Sequence, residues 1–363
     1  MNLRIPGPTP VPPSVLQAMT KPMVNHRGEE FAELIVSVTE RLKHFFQTKN
    51  DVLIFPSSGT GGMEAAIVNT LSPGDRVLAV SIGSFGDRFA EIAQRFGADV
   101  VKLDFPWGTD ADPAAIAAKL DKDPSFKAVL VTHNETSTGV TNDMEAIARV
   151  VRPHQALLIV DSISALGALE LKVDEWGCDV VVTGSQKSWM IPPGLSFVSI
   201  SPKGWAAHAQ ARMPRYYWDY GSAKKYLEKR QNPYTPAVSL YYALDEALKL
   251  MMQESLQGVL ERHKRLGAYF RNGVRELGLS ILAEERCASN TVTAIPAPDG
   301  VAPKDLRRIL REDFDIVVAG GQGQLQEKIF RVGHVGYVSK EDLDDVLRAL
   351  KVVLPRLGFQ PKS

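Results

Sequence analysis

The sequence predicts an α/β fold, a large domain with a mostly parallel, doubly wound sheet followed by a smaller α+β domain. Two observations carry this. Short β-branched apolar runs alternate with helically spaced stretches up to about residue 200, which is the pattern of βαβ units. After Pro236 the pattern changes to a long helical tract and then to mixed strands and helices.

Residues 1–14 carry Pro6, Pro8, Pro10, Pro12 and Pro13 and read as an extended arm, with Ser14 as the cap of the first helix. Phe31, Leu34, Ile35, Val38, Leu42 and Phe45 have helical spacing. Strands are expected at 52–55, 77–80, 100–103, 128–132, 157–160, 180–182 and 197–200. Helices are expected at 62–71, 85–96, 113–120 and 144–151. Residues 239–277 read as a helical connection. Beyond it, 291–295, 316–318 and 329–332 read as strands, and 303–311 and 340–354 as helices. The resulting organisation is an arm at 1–14, a large domain at 15–245 and a small domain at 246–363.

Composition excludes several function classes. Hydrophobic content of 44% and charged content of 23% are those of a globular protein, and 42 basic against 42 acidic residues give no net field for nucleic acid or anionic membrane. No apolar run reaches the length of a membrane span and no secretion signal is visible, so a cytoplasmic location is expected. Cys178 and Cys287 make neither a disulfide framework nor a metal cluster. No metal site is expected, because His133 and Glu135 have no further clustered ligand.

The chemistry gathers at the ends of the apolar runs. One run closes on Asp161; another leads through Thr183-Gly184-Ser185-Gln186 to Lys187. The carboxyl ends of parallel strands are where such sheets hold ligands. An acid facing a cationic ring nitrogen and an amine forming an imine with a carbonyl carbon would suit pyridoxal phosphate; two unrelated surface charges are the alternative. Ser57-Ser58-Gly59-Thr60-Gly61-Gly62 opens a helix and suits a phosphate or a plain helix cap. Phe85 follows a strand and could stack on a planar ring or lie in the core. His133 to Gly139 form a donor-rich loop. Arg331 interrupts an apolar strand, either to grip a substrate carboxylate or to close an internal ion pair. Gly320-Gly321-Gln322-Gly323 reads as a turn.

The segments SSGTGGMEAAIVN, SIGSFGDR, THNETSTGV, VDSISALG, TGSQKSWMIPPG and RVGHVG, in that order, resemble the class V, fold-type I, pyridoxal-phosphate-dependent aminotransferases. The similarity is greatest to the alanine–glyoxylate, serine–glyoxylate and serine–pyruvate group, and it runs from Pro6-Gly7-Pro8 to the C-terminal domain. It implies Lys187 as the Schiff-base lysine, Asp161 as partner of the ring nitrogen and Phe85 as the stacking aromatic. Ser58, Gly59 and Thr60 would form the phosphate cup, with Thr136 and Gln186 as further cofactor contacts. Arg331 and Gly7 would bind substrate. A homodimer is implied, with Thr235 reaching the partner's phosphate, although Asn232 stands where a tyrosine often accompanies that threonine. The implied activity is ping-pong transfer of an amino group from serine or alanine to glyoxylate or pyruvate. Aminoethylphosphonate- or ureidoglycine-type transaminases, a cysteine desulfurase-like lyase using Cys287, and a non-catalytic hydrogenase-associated protein are the rivals.

Overall fold

The computed structural model describes residues 1–360 of the 363-residue chain. Seven strands form the main sheet: β1 (Asp51–Phe55), β2 (Arg76–Ser81), β3 (Asp99–Asp104), β4 (Ala128–Thr132), β5 (Leu157–Asp161), β6 (Val180–Gly184) and β7 (Ser196–Ile200). Their spatial order is β3-β2-β4-β5-β6-β7-β1, and only β7 runs antiparallel to its neighbours. Every expected strand of this sheet is present.

Each central strand feeds two cores, because successive side chains point to opposite faces. Leu78, Val80, Val129, Val131, Leu158, Val160 and Val181 join one cluster with the helices Glu29–Phe46 and Val238–Glu254. Val77, Ala79, Ala128, Leu130, Leu157, Ile159, Val180 and Val182 join the other with the helices Gly59–Thr70 and Ser84–Arg95. Each fully buried Val, Leu or Ile contributes about 1.5–3 kcal/mol. This double covering is why the runs are unbroken rather than alternating.

A third cluster, from Leu266 to Leu354, surrounds the antiparallel pairing of Val292–Pro296, Ile329–Gly333 and Ala319–Gly320. The helical tract is two helices, Val238–Glu254 and Leu256–Glu276, broken at Ser255 with φ +71°. One expectation needs correction. Ser14 does not cap the first helix, which spans Pro13–Ala18; Pro13 takes the first helical position, where its missing N–H costs nothing. The crossover from β5 to its parallel neighbour β6 holds only the short helix Val173–Trp176. The strand expected at 316–318 is present as Ile316–Val317 and pairs in parallel with Asn2–Leu3, tying the arm to the third cluster. No helix of the described residues is long and apolar enough to cross a membrane.

Candidate active site

The carboxyl ends of β4, β5 and β6 and the start of the helix after β1 converge on a cavity of about 240 Å³. Its wall includes Gly7, Pro8, Ser58, Gly59, Thr60, Phe85, Thr136, Asp161, Gln186 and Lys187. Asp161 is the last residue of β5, opposite Thr132 of β4 and Val182 of β6. It is almost fully buried, and its Oδ1 accepts one N–H, from Ile163, at 2.9 Å. Burial, reinforced by the negative Glu135, pushes its carboxyl up to about 7.

Lys187 lies just beyond β6, and its Nζ donates to the Pro6 carbonyl at 2.6 Å. Burial, together with the positive Arg331, brings its amine down to about 8. A Cβ on Gly7 would meet Lys187 Cδ and Cε at 2.7 Å, and Gly7 has φ +142°, so only glycine passes there comfortably.

The helix Gly59–Thr70 begins directly at the cavity. Its N-cap, Ser58, makes no side-chain capping bond, so its hydroxyl and the first helical N–H groups remain available. Gly59 and Gly62 let the helix approach closely: a Cβ at Gly59 would stand 2.4 Å from Ile163 Cδ1, and one at Gly62 would stand 2.7 Å from Val182 Cγ1. Gln186 adds a buried Oε1 without a hydrogen-bond partner.

Arg331 and Thr235 are the two expected residues that do not line this cavity. Arg331 sits behind Thr136: its Nη1 donates to the Thr136 carbonyl and its Nε to the Gly320 carbonyl, both at 2.8 Å. Burial lowers its guanidinium to about 10, with Glu135 opposing. Thr235 is exposed and borders a separate crevice with Phe55, Tyr217 and Asn232.

Sequence reasoning passed over Arg88, Asn134 and Ser164, which also line the wall. Arg88 stands one helical turn beyond Phe85, its guanidinium 4.7 Å from that ring, and the i,i+3 spacing was the available signal. Asn134 donates to Ser164 Oγ at 2.8 Å and Thr291 Oγ1 at 3.0 Å. His133 is held neutral by burial, lowered to about 3. Among the described residues no group of three side chains gathers to hold a metal.

Residues 1–346 match the family described as Aminotransferase class-V. The chain belongs to the class-V aminotransferases. It is 47% identical over 360 residues to the soluble hydrogenase small subunit of Synechococcus sp., covering 98% of this chain and 94% of that one. It is 39% identical over 353 residues to the serine–glyoxylate aminotransferase of Methylorubrum extorquens, covering 94% and 88%. The crystal structure of ureidoglycine–glyoxylate aminotransferase from Bacillus subtilis superposes with a TM-score of 0.96 at 33% identity, covering 100% of this chain and 95% of that one. This class-V chain therefore has the fold-type I architecture and uses pyridoxal phosphate. The residues present fit that cofactor. A buried carboxylate with one N–H partner, a nearby amine, an unpartnered amide oxygen and a helix start with a free cap hydroxyl offer complementary groups for ring nitrogen, aldehyde and phosphate.

Proposed function

We propose that the chain is a transaminase that moves an amino group from a small L-amino acid, serine or alanine, to glyoxylate or pyruvate in a ping-pong cycle. The observation that carries this reading is the shared cavity of Lys187 and Asp161, each short of partners, beside the uncapped start of Gly59–Thr70. Glyoxylate is the substrate common to the names of the M. extorquens and B. subtilis relatives, which favours it as acceptor.

Bound pyridoxal phosphate supplies an electron sink for charge developing at the substrate α-carbon. Asp161 would hold a negative charge against its ring nitrogen, a cation that would draw the carboxyl's pKa back down. Ser58, Gly59 and Thr60 would hold the phosphate, Phe85 would lie against the ring, and Thr136 and Gln186 would offer it polar contacts. Lys187 would hold the carbonyl carbon, and its Nζ, an amine brought down to about 8, suits the transfer of the α-proton at neutral pH. Arg331, whose Nη2 donates to neither carbonyl, orients the substrate carboxylate, and Gly7 forms part of the cavity wall.

A cytoplasmic homodimer completes the proposal: exposed Thr235 reaches the partner's phosphate, the role that its distance from its own cavity leaves open. The desulfurase reading is disfavoured because Cys287 is buried beside the Gly108 and Glu284 carbonyls, and burial raises its thiol. The hydrogenase-subunit name belongs to a relative that is similar along its whole length, and it gives no role to a lysine–aspartate pair at one cavity.

An absorbance titration of the purified protein with serine, alanine, aspartate and cysteine tests the reading. Bleaching of the yellow cofactor band by serine or alanine is expected. A colourless protein that cannot be reconstituted overturns the transaminase, and sulfide release from cysteine supports the lyase.

A further inference from the structure

Glu135 has no part in the chemistry above, yet it is fully buried and joins the elements that carry three of the proposed functional residues. Its Oε2 accepts from the backbone N–H groups of Phe85 at 3.0 Å and Gly86 at 3.1 Å. These are orphan donors of the first turn of Ser84–Arg95, whose own N-cap, Gly83, has no side chain to serve them. Its Oε1 accepts from Ser137 N at 3.1 Å and Ser137 Oγ at 2.6 Å, and that hydroxyl in turn accepts from Ser84 N at 3.0 Å. The contact is backbone-tight: a Cβ on Gly83 would lie 2.4 Å from Glu135 Cγ.

Between Glu135 and Ser137 lies Thr136, which lines the cavity with its own surface and holds Arg331 Nη1 on its carbonyl. The Glu135 carbonyl also accepts from Gly139 N at 2.9 Å, closing the loop on itself. One carboxylate thus fastens the helix bearing Phe85 to the loop bearing Thr136, and through Thr136 to Arg331.

We propose that Glu135 is the positioning residue that sets Phe85 and the Thr136–Arg331 pair relative to the Lys187–Asp161 pair. It couples the grip on the cofactor ring to the grip on the substrate carboxylate. The inference rests on the transaminase reading. All four donors point at the two oxygens, so an amide replaces the carboxylate poorly: whichever way Glu135→Gln turns, its NH₂ faces at least one backbone N–H, those of Phe85 and Gly86 or that of Ser137.

The test uses the intact protein and two readouts. Pyridoxine 5′-phosphate, which has the ring and phosphate but no aldehyde for Lys187, is titrated against cofactor-free protein by quenching of tryptophan fluorescence. Steady-state kinetics with glyoxylate on the loaded protein give KM and kcat. Glu135→Gln is expected to weaken pyridoxine phosphate about tenfold or more and to raise KM for glyoxylate by a similar factor, as loss of charge-assisted bonds implies. Ser137→Ala, which removes one donor from Oε1 and leaves Oε2 untouched, is expected to shift both about threefold.

A lower melting temperature with affinity and KM unchanged would mean a purely structural cap and would overturn the proposal. If Glu135→Gln does not fold, Ser137→Ala decides by the same criterion. Failure of the wild-type protein to bind pyridoxine phosphate would instead strike the transaminase reading, before either variant is compared.

Discussion

Two pairs of buried titratable groups, one in each region of the molecule, are treated in opposite ways. In the small-domain cluster, His263 Nδ1 donates to the Val259 carbonyl and Nε2 accepts from Gly336 N. His334 Nδ1 donates to the Asn290 carbonyl, and its Nε2 pairs with Thr293 Oγ1. Every ring nitrogen is used, and burial holds both rings neutral, each lowered to about 3. At the end of the large sheet, Asp161 has one N–H and Lys187 one carbonyl, beside open space. Burial alone therefore does not mark a site. A buried group short of partners at the wall of a cavity does, because the missing partners have to come from a ligand.

The comparison is broken most severely by Lys187→Ala. Turnover of any amino donor is expected to fall about 10³-fold or more, since both the covalent link and the mobile proton are lost; retained activity in a coupled assay would sink the assignment. Next, Arg331→Lys should raise KM for both amino and oxo acids roughly 10- to 100-fold, because a point charge cannot replace the planar fork. Equal KM values in the two proteins would remove Arg331 from the substrate.

The two remaining predictions set the regions directly against each other through stability. His334→Ala should destabilise by about 2–4 kcal/mol in urea unfolding at pH 8, leaving a cavity and two unpaired partners. A histidine lowered in the folded state contributes stability that is full above its unfolded value and lost as pH falls towards 3. The gap between wild type and variant should therefore narrow in acid. In cofactor-free protein, Asp161→Asn should act in the opposite sense, stabilising by roughly 1–3 kcal/mol at pH 8. A carboxyl raised to about 7 is penalised as an anion, and the penalty grows as pH climbs from about 4 to 7 and is full above that. The advantage of the variant should therefore vanish near pH 4. A destabilising Asp161→Asn at pH 8 would mean that the carboxylate is already satisfied without a ligand.

The fold was legible because each central strand must fill two cores and so writes an unbroken apolar run. The place of the cavity was legible from the strand ends: Asp161 closes one apolar run, Lys187 follows another after Thr183-Gly184-Ser185-Gln186, and both line it. Ser14 was a local misreading: proline favours the first helical position, so Pro13 itself marked the helix start. The rest of what escaped depends on distance across the chain, and nothing near Ile316 shows that its strand partner is Asn2. From its apolar surroundings Arg331 read as either a grip on a substrate carboxylate or half of an internal ion pair; its protein partners are the Gly320 and Thr136 carbonyls, and the Thr136 contact joins segments far apart in the chain. Glu135 read as part of the donor-rich loop and not as a metal ligand; its clamp on the helix Ser84–Arg95 escaped because two of its four donors, Phe85 N and Gly86 N, lie about fifty residues upstream.

The arm is a bridge as well as a wall. The Pro6 carbonyl accepts from Lys187 Nζ, and Thr9 N donates to the Gln186 carbonyl at 3.1 Å. A few residues earlier, Asn2–Leu3 pairs with Ile316–Val317, and the Arg4 carbonyl accepts from Gly333 N at 2.7 Å. One short stretch of backbone thus touches the third cluster and the surroundings of Lys187 at once, so a displacement of that cluster pulls on the wall of the cavity.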